Sequence, residues 1–370
     1  MTVGRGGRNR FRRFGVEAEH RSGGDGESRP MELLNERSAE DWLKRRGLIA
    51  PLERVVVRAL SGGVSNVVLH VHRGVHSSFV VKQCREQLRV PEPWFAPLER
   101  IRREAAVLRF CGRLLTDAAE VRVPQVLFEV SEDYAFGMTA AADGYRVWKT
   151  LLLDGETDER IAAACGRTLG RLHAATWHDA QAALALGGPD YFDDLRLDPY
   201  YRTAAGRNRC VAAALESLIR ESLSRRDGFV HGDFSPKNLL VTDDGLMLVD
   251  FEVGHYGDSS FDLGFFLAHL TLKAIRAGER AHRYVALTEA FWDGYERETC
   301  GALSPAERRD VMRRGLRHLA GCVLARVDGK SRVEYLTEER QQAARSLALE
   351  LFRDGPDDWP GVLRCLANVT

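Results

Sequence analysis

FVHGDFSPKNLLV, residues 229–241, and VDFEVGHYGDSSFDLG, residues 249–264, decide how this chain is read. Two apolar runs, NLLV (238–241) and LMLV (246–249), flank a TDDG segment, and Asp244-Gly245 is a strong short-range signal for a β-hairpin turn. A hairpin there brings three oxygen-bearing side chains toward one end: Asp233, Asn238 and Asp250. Hard oxygen ligands of this kind suit Mg2+, which keeps several waters and accepts one or two carboxylates together with substrate phosphates. The residue types therefore point to phosphoryl transfer. Taken singly, a loop carboxylate such as Asp233 would as readily bond its own backbone. The weight lies in His231, Gly232, Asp233, Asn238 and Asp250 falling together around one hairpin.

Toward the N-terminus the period changes. RVVVRAL (54–60), VVLHVH (67–72) and SFVVKQ (78–83) are short β-branched runs separated by glycine-containing turns, which predicts an antiparallel meander, and VPQVLFEV (123–130) and AFGMTA (135–140) extend it. The LSGGVSN turn (60–66) offers Ser61, Gly62, Gly63 and Ser65, whose backbone N–H groups can approach phosphate oxygens closely. It is neither a Walker A loop nor a full G-x-G-x-x-G, so alone it reads as an ordinary turn. Lys82 has the parity of Val80 on its strand, awkward for a solvated lysine and natural for one aimed into a cleft. After a proline-studded loop (Pro91, Pro93, Pro97), Leu98, Ile101, Ala105 and Leu108 recur at helical spacing, and Glu104 falls on that sheet-facing side. Its bland alternative is a surface pair with a neighbouring arginine.

Beyond Gly155 the pattern is mainly helical. Thr157 is the expected N-cap, with Asp158 and Glu159 in the first turn and Ile161, Cys165, Leu169 and Leu172 on one face. Further helices fill residues 282–353. The fold class is thus α+β: an antiparallel-sheet N-lobe over residues 31–140 and a mainly helical C-lobe over 141–370. Length agrees, since 370 residues exceed one compact core.

Fifty-three basic residues balance fifty-three acidic ones, so bulk charge argues against a nucleic-acid partner. The seven cysteines are odd in number and never form C-x-x-C, which favours reduced thiols and a cytoplasmic setting over a disulfide framework or zinc site. No uninterrupted apolar run is long enough to span a bilayer, so no membrane association is expected. Residues 1–30 are rich in arginine and glycine and poor in apolar side chains, and disorder is expected there.

H-G-D-x-x-x-x-N followed by D-F-E resembles the paired motifs of the aminoglycoside phosphotransferase and choline kinase family, which shares the bilobal protein-kinase-like fold. The resemblance spans about residues 50–340 and is most specific over 231–252. It implies an ATP- and Mg2+-dependent phosphotransferase acting on a hydroxyl of a small molecule. Asp233 would be the catalytic base, Asn238 and Asp250 the metal ligands, and Lys82, paired with Glu104, the contact to the α- and β-phosphates. Ser61, Gly62, Gly63 and Ser65 would lie over the phosphates, and the segment from Gly137 to Ala140 against adenine. His231 and Asp262 would brace the catalytic loop.

For the acceptor, the resemblance leaves several classes. An aminoglycoside is a polycation, yet residues 251–370 hold 18 acids and 17 bases, a net −1, which is no acidic bias. FDLGFFLAHL (261–270) and LSGGVSN also resemble methylthioribose kinases, although HGDFSPKN departs from their usual loop. A choline-like acceptor would need an aromatic cage, for which Trp292 and Tyr295 are available. Trp148, Lys149 and DYFDDLRLDPYYR (190–202) are left as packing. A nucleotide-binding pseudokinase without turnover is the reading from a different class.

Overall fold

A computed structural model describes residues 31–60, 63–74, 76–90 and 93–370; the tail over 1–30, Ser61, Gly62 and Pro91 lie outside the described residues. Residues 33–370 form one compact unit. Helix α1 (Ala39–Arg45) is followed by strands β1 (Val56–Ala59), β2 (Asn66–Arg73) and β3 (His76–Cys84), then helix α2 (Arg100–Leu114) and strands β4 (Val121–Arg122), β5 (Val126–Val130) and β6 (Ala135–Thr139). The expected meander forms, with every neighbouring pair antiparallel in the order β1-β2-β3-β6-β5. Alternation along β3 separates two cores. Phe79 and Val81 face a small cluster with Trp42 and Leu43 of α1, while Val80 and Cys84 join the main core with Ile101, Ala105 and Leu108 of α2.

Short strand β7 (Arg146–Val147) leads into α3 (Trp148–Leu153), α4 (Glu159–Thr176) and α5 (Ala180–Leu186). The cap of α4 falls one residue later than expected: Asp158, not Thr157, accepts from Arg160 N. Aspartate is a stronger N-cap than threonine, and its negative charge complements the helix N-terminus. DYFDDLRLDPYYR is helical, with a wide-turned π segment over Asp193–Arg202. Pro199 lies inside that segment; having no N–H, it cannot continue an ordinary helical ladder.

Helix α6 (Ala212–Ser224) precedes β8 (Gly228–Val230), and the hairpin read from the sequence appears as β9 (Leu239–Thr242) and β10 (Gly245–Leu248). Strand β11 (His255–Gly257) pairs antiparallel with β8. The β4 segment joins this region, since β4 runs parallel to β10 in the order β4-β10-β9-β7. The two chemistry-bearing loops therefore both border the β8–β11 ribbon: residues 231–238 follow β8, and residues 249–254 run from β10 into β11.

Helices α7 (Ser260–Ala277), α8 (Ala281–Thr299), α9 (Pro305–Asp328), α10 (Glu338–Asp354) and α11 (Trp359–Ala367) complete the chain. Among the described residues no helix is long and apolar enough to cross a membrane. Helices α4 and α8 meet through glycines. A Cβ on Gly166 would lie 2.0 Å from the Phe291 carbonyl oxygen, and one on Gly294 would lie 2.3 Å from that of Ala163. The backbones themselves are in contact, so this helix pair has no slack there.

Gly166→Ala should lower the unfolding free energy measured in urea by about 1–3 kcal/mol through overpacking. Gly301→Ala, whose Cβ meets nothing within 4 Å, should stay within about 0.5 kcal/mol of the parent. Helix α9 opens on a capping box: Glu307 N donates to Ser304 Oγ at 3.3 Å and Ser304 N donates to Glu307 Oε2 at 2.7 Å. Hydrogen bonds from Ser304 and Trp177 lower the Glu307 carboxyl from its ordinary 4.5 to about 2. A depressed folded-state value contributes stability that is fully present above 4.5 and is lost as pH falls toward 2. Ser304→Ala should cost about 1 kcal/mol at neutral pH and flatten the stability profile across that acidic window, as read by urea melts at stepped pH.

Candidate active site

Lys82 sits in the centre of the sheet, its strand flanked by β2 at Val68 and β6 at Phe136. Its Nζ lies 2.7 Å from Glu104 Oε1 and 2.6 Å from Asp250 Oδ1, and the residue is 4% exposed. Strand parity and helix period thus deliver both halves of the expected Lys82–Glu104 pair. Burial alone would lower the Lys82 ammonium, but Asp250 and Glu104 outweigh it and hold the group above its ordinary range. Burial lifts the Glu104 carboxyl to about 7, against the pull of Lys82 and with Asp250 and Glu252 adding to the rise. Asp250 is pushed up by burial and drawn down more strongly by Lys82 and Lys237, ending below its ordinary value.

Asp250 reaches Lys82 from an unusual backbone. Its φ of +72° lies in the left-handed region, which L-residues enter at a cost that aspartate tolerates better than most. Strained backbone of this sort persists where the surroundings over-determine it, and it clusters at functional sites. Here β10 and β11 fix both ends of the loop. One turn further, Gly254 N donates to the Phe251 carbonyl at 2.9 Å.

The HGD loop is built as closely. Gly232 adopts φ +75°, and Asp262 accepts from the backbone N–H of His231 at 2.6 Å and of Gly232 at 2.9 Å. His231 Nδ1 accepts from Asp233 N at 3.2 Å, and Asn238 Nδ2 donates to the Asp233 carbonyl at 2.9 Å. His231 and Asp262 therefore brace the loop as the sequence implied. Val249 N donates to the Asn238 carbonyl at 3.0 Å, tying this loop to the strand end that carries Asp250.

The Asp233 carboxylate is 2% exposed and receives two cations that sequence reading did not assign. Arg196 Nη2 and Lys237 Nζ each lie 2.8 Å from Oδ2. Arg196 Nε also donates to the Gly232 carbonyl at 2.5 Å, so one guanidinium fixes both the backbone and the side chain of the loop. Arg196 comes from the segment that the sequence reading left as packing. The aromatic Tyr201 of that segment does pack, stacked on His318 and tilted against Phe261.

Glu252 is a second addition. Its Oε1 accepts from Ser65 Oγ at 2.8 Å and its Oε2 from Asn66 Nδ2 at 2.9 Å, while Arg100 Nε approaches Oε2 at 3.5 Å. Arg100 is fully buried and also donates to the carbonyls of Ser65, Arg85, Ala96 and Pro97. The Ser65–Asn66 end of the turn is thereby clasped to the DFE loop. Gly63 precedes this clasped end and Ser65 belongs to it, with the Ser65 hydroxyl already committed to Glu252.

Asp258 is structural. It receives Arg314, lies 3.3 Å from His318 Nε2 and accepts from Ser260 Oγ at 2.6 Å, and Arg314 also bridges to Asp227 at 2.7 Å. This buried net anchors α9 beneath the β8–β11 ribbon. Trp292 and Tyr295 form no open cage, being buried with the Tyr295 hydroxyl 3.0 Å from His173 Nδ1. Trp148 stacks on Phe266 at 5.8 Å between ring centres.

The donor set suits a hard divalent cation. Carboxylate oxygens of Glu104, Asp250 and Glu252 lie within 4.8 Å of one another, and Glu104 Oε2 is buried without a hydrogen-bond partner. Asn238 spends its amide N–H on the loop, leaving its carbonyl oxygen as the polar atom available to a metal.

The profile of the phosphotransferase enzyme family matches residues 56–299. Methylthioribose kinase of Pectobacterium atrosepticum is 26% identical over 259 residues, covering 61% of this chain and 62% of that protein. That of Geobacillus thermodenitrificans is 24% identical over 376 residues, covering 88% and 93%. The chain thus spans about three fifths of the length of the first of these relatives. Choline kinase from Cryptosporidium parvum shares the fold at a TM-score of 0.55 and 12% identity, over 90% of this chain and 99% of that one. With the family profile running from the first strand of the sheet to the end of α8, this chain belongs to the phosphotransferase enzyme family.

Proposed function

We propose that this protein is an ATP- and Mg2+-dependent kinase that moves a γ-phosphoryl group to a hydroxyl of a small molecule. The observation carrying the reading is the bridge from Lys82 to Asp250 and Glu104, set beside an Asp233 loop tied to the same strand ends. Asp233 accepts a hydrogen bond from the acceptor hydroxyl, orients it for in-line attack and takes its proton as the new P–O bond forms. Arg196 and Lys237 hold that carboxylate in one orientation. Lys82 exchanges part of its contact with Asp250 for the α- and β-phosphates, while Glu104 keeps it in place. Bound Mg2+, held by Asp250 and Asn238, would neutralise charge on the transferring group. Gly63 and Ser65, with Ser61 and Gly62, cover the phosphates, and adenine rests against Gly137 to Ala140.

All five kinase-type positions, Lys82, Glu104, Asp233, Asn238 and Asp250, are retained, which disfavours a pseudokinase. Similarity to methylthioribose kinases favours a sugar or polyol hydroxyl over an aminoglycoside. A cytoplasmic location fits both the need for ATP and the cysteine pattern.

Asp233→Asn should cut kcat for ATP-dependent phosphorylation by about 10²- to 10⁴-fold while ATP affinity is kept. Lys82→Ala should instead raise the KM for ATP by at least about tenfold, equivalent to about 1.4 kcal/mol. A metabolite panel scored for ATP consumption provides the acceptor, and unchanged turnover in Asp233→Asn rejects the base assignment. Chelation of divalent cations should abolish turnover and Mg2+ should restore it; activity persisting in chelator removes Asp250 and Asn238 from a metal role.

A further inference from the structure

Helix α7 is apolar along most of its length, yet it buries a lysine. Lys273 is 1% exposed, and its ammonium donates only to the His269 carbonyl one turn back, at 3.2 Å. Among the described residues it forms no ion pair. Three further cations act on it: Lys149, Arg326 and, more weakly, Arg276. Lys149 shares the Tyr335 ring with it, their Nζ atoms lying 5.8 and 5.3 Å from the ring centre. Arg326 donates to Ser331 and to the Tyr200 hydroxyl. The acid here is Glu334, which is largely exposed and paired with Lys149.

An ammonium buried without a counter-charge costs several kcal/mol, and neighbouring cations add to the cost. Burial, then Lys149 and Arg326, depress Lys273 from 10.5 to about 7. Unused hydrogen-bonding atoms gather around the same point. Arg326 Nε, the Tyr335 hydroxyl and His269 Nε2 are all buried without a partner. Together with the free N–H groups of Lys273 they form a set of potential donors aimed at no protein acceptor.

This cluster neighbours the Asp233 loop. Phe234 packs on Phe266 of the same helix at 5.3 Å, Arg326 is within electrostatic reach of Asp233, and His269 is within reach of Lys237, itself 2.8 Å from Asp233. A ligand whose hydroxyl meets Asp233 would thus extend its other end toward Lys273 and Arg326.

We propose that Lys273, Arg326, Tyr335 and His269 form a binding site for an oxyanion carried by the phosphate acceptor. The acceptor class is then a small hydroxylated acid, bearing a carboxylate or a phosphate monoester, rather than a neutral sugar or a polycation. The term acceptor rests on the kinase reading; the anion site does not.

Calorimetric titration of the nucleotide-free, metal-free protein with D-ribose 5-phosphate, D-gluconate and D-ribose tests the site. At least one charged probe should bind tenfold or more tightly than ribose, and the comparison of phosphate with carboxylate identifies the group preferred. Lys273→Met and the more exposed Arg326→Gln should each weaken that binding at least tenfold, Lys273→Arg should restore most of it, and Arg54→Ala, whose side chain is exposed, should leave it unchanged. Equal binding of ribose, no binding of either anion, or full affinity in both Lys273→Met and Arg326→Gln overturns the site. Anion binding without any ATP-dependent phosphorylation of the bound probe upholds the site and counts against the kinase reading alone.

Discussion

One ammonium group holds the centre of this molecule together. Lys82 is fixed by a sheet strand, Glu104 by a helix and Asp250 by a loop between two strands of the helical region, so three separately folded elements share a single charge. Removing the lysine would leave two neighbouring carboxylates without their shared counter-charge, a penalty of about 3–5 kcal/mol. The bridge is better understood as a geometric constraint than as a source of stability. Hydrophobic residues could have joined the same surfaces as firmly, but they would not have presented carboxylate oxygens at a common point.

The rest of the architecture supports that point by immobilising backbone. Asp262 takes two N–H groups of the HGD loop, Arg196 takes its carbonyl and its carboxylate, and the Asp258–Arg314–Asp227 net secures the ribbon that borders both loops. Each of these groups is buried and satisfied by a partner far away in sequence. Precision at the site is bought with long-range polar contacts, which low dielectric makes strong when complete and costly when incomplete.

That distance in sequence explains what could be read in advance. The hairpin at Asp244-Gly245, the parity of Lys82 with Val80 and the helical phase of Glu104 are local patterns of period two or 3.6, and the structure reproduces each of them. Arg196 could not be found that way. Its segment contains a proline and adopts a wide-turned helix, so no regular period reveals which side faces the loop. Glu252 was visible as the last residue of the D-F-E motif, but its hold on Ser65 and Asn66 depends on how two distant turns meet. Lys273 offered one signal, a charge within an otherwise apolar helix, and that signal gained meaning only when its lack of a carboxylate partner was seen. The cap at Asp158 rather than Thr157 is the ordinary one-residue uncertainty of a helix end.

On the proposed kinase reading, the Glu252 clasp would give nucleotide capture an energetic character of its own. Ser65 and Asn66 already spend their side chains on the Glu252 carboxylate, two residues beyond Asp250, and Arg100 seals the joint from behind. If phosphates are to take over any of those donors, the clasp must loosen, and the measured affinity becomes the intrinsic affinity reduced by the fraction of molecules already open. Conversely, a cation that draws Glu252 toward Asp250 would weaken the same contacts. Release of Ser65 and Asn66 and charge at the DFE loop are then two readings of one equilibrium, so the two ligands of the cleft would sense each other through a latch that neither need touch.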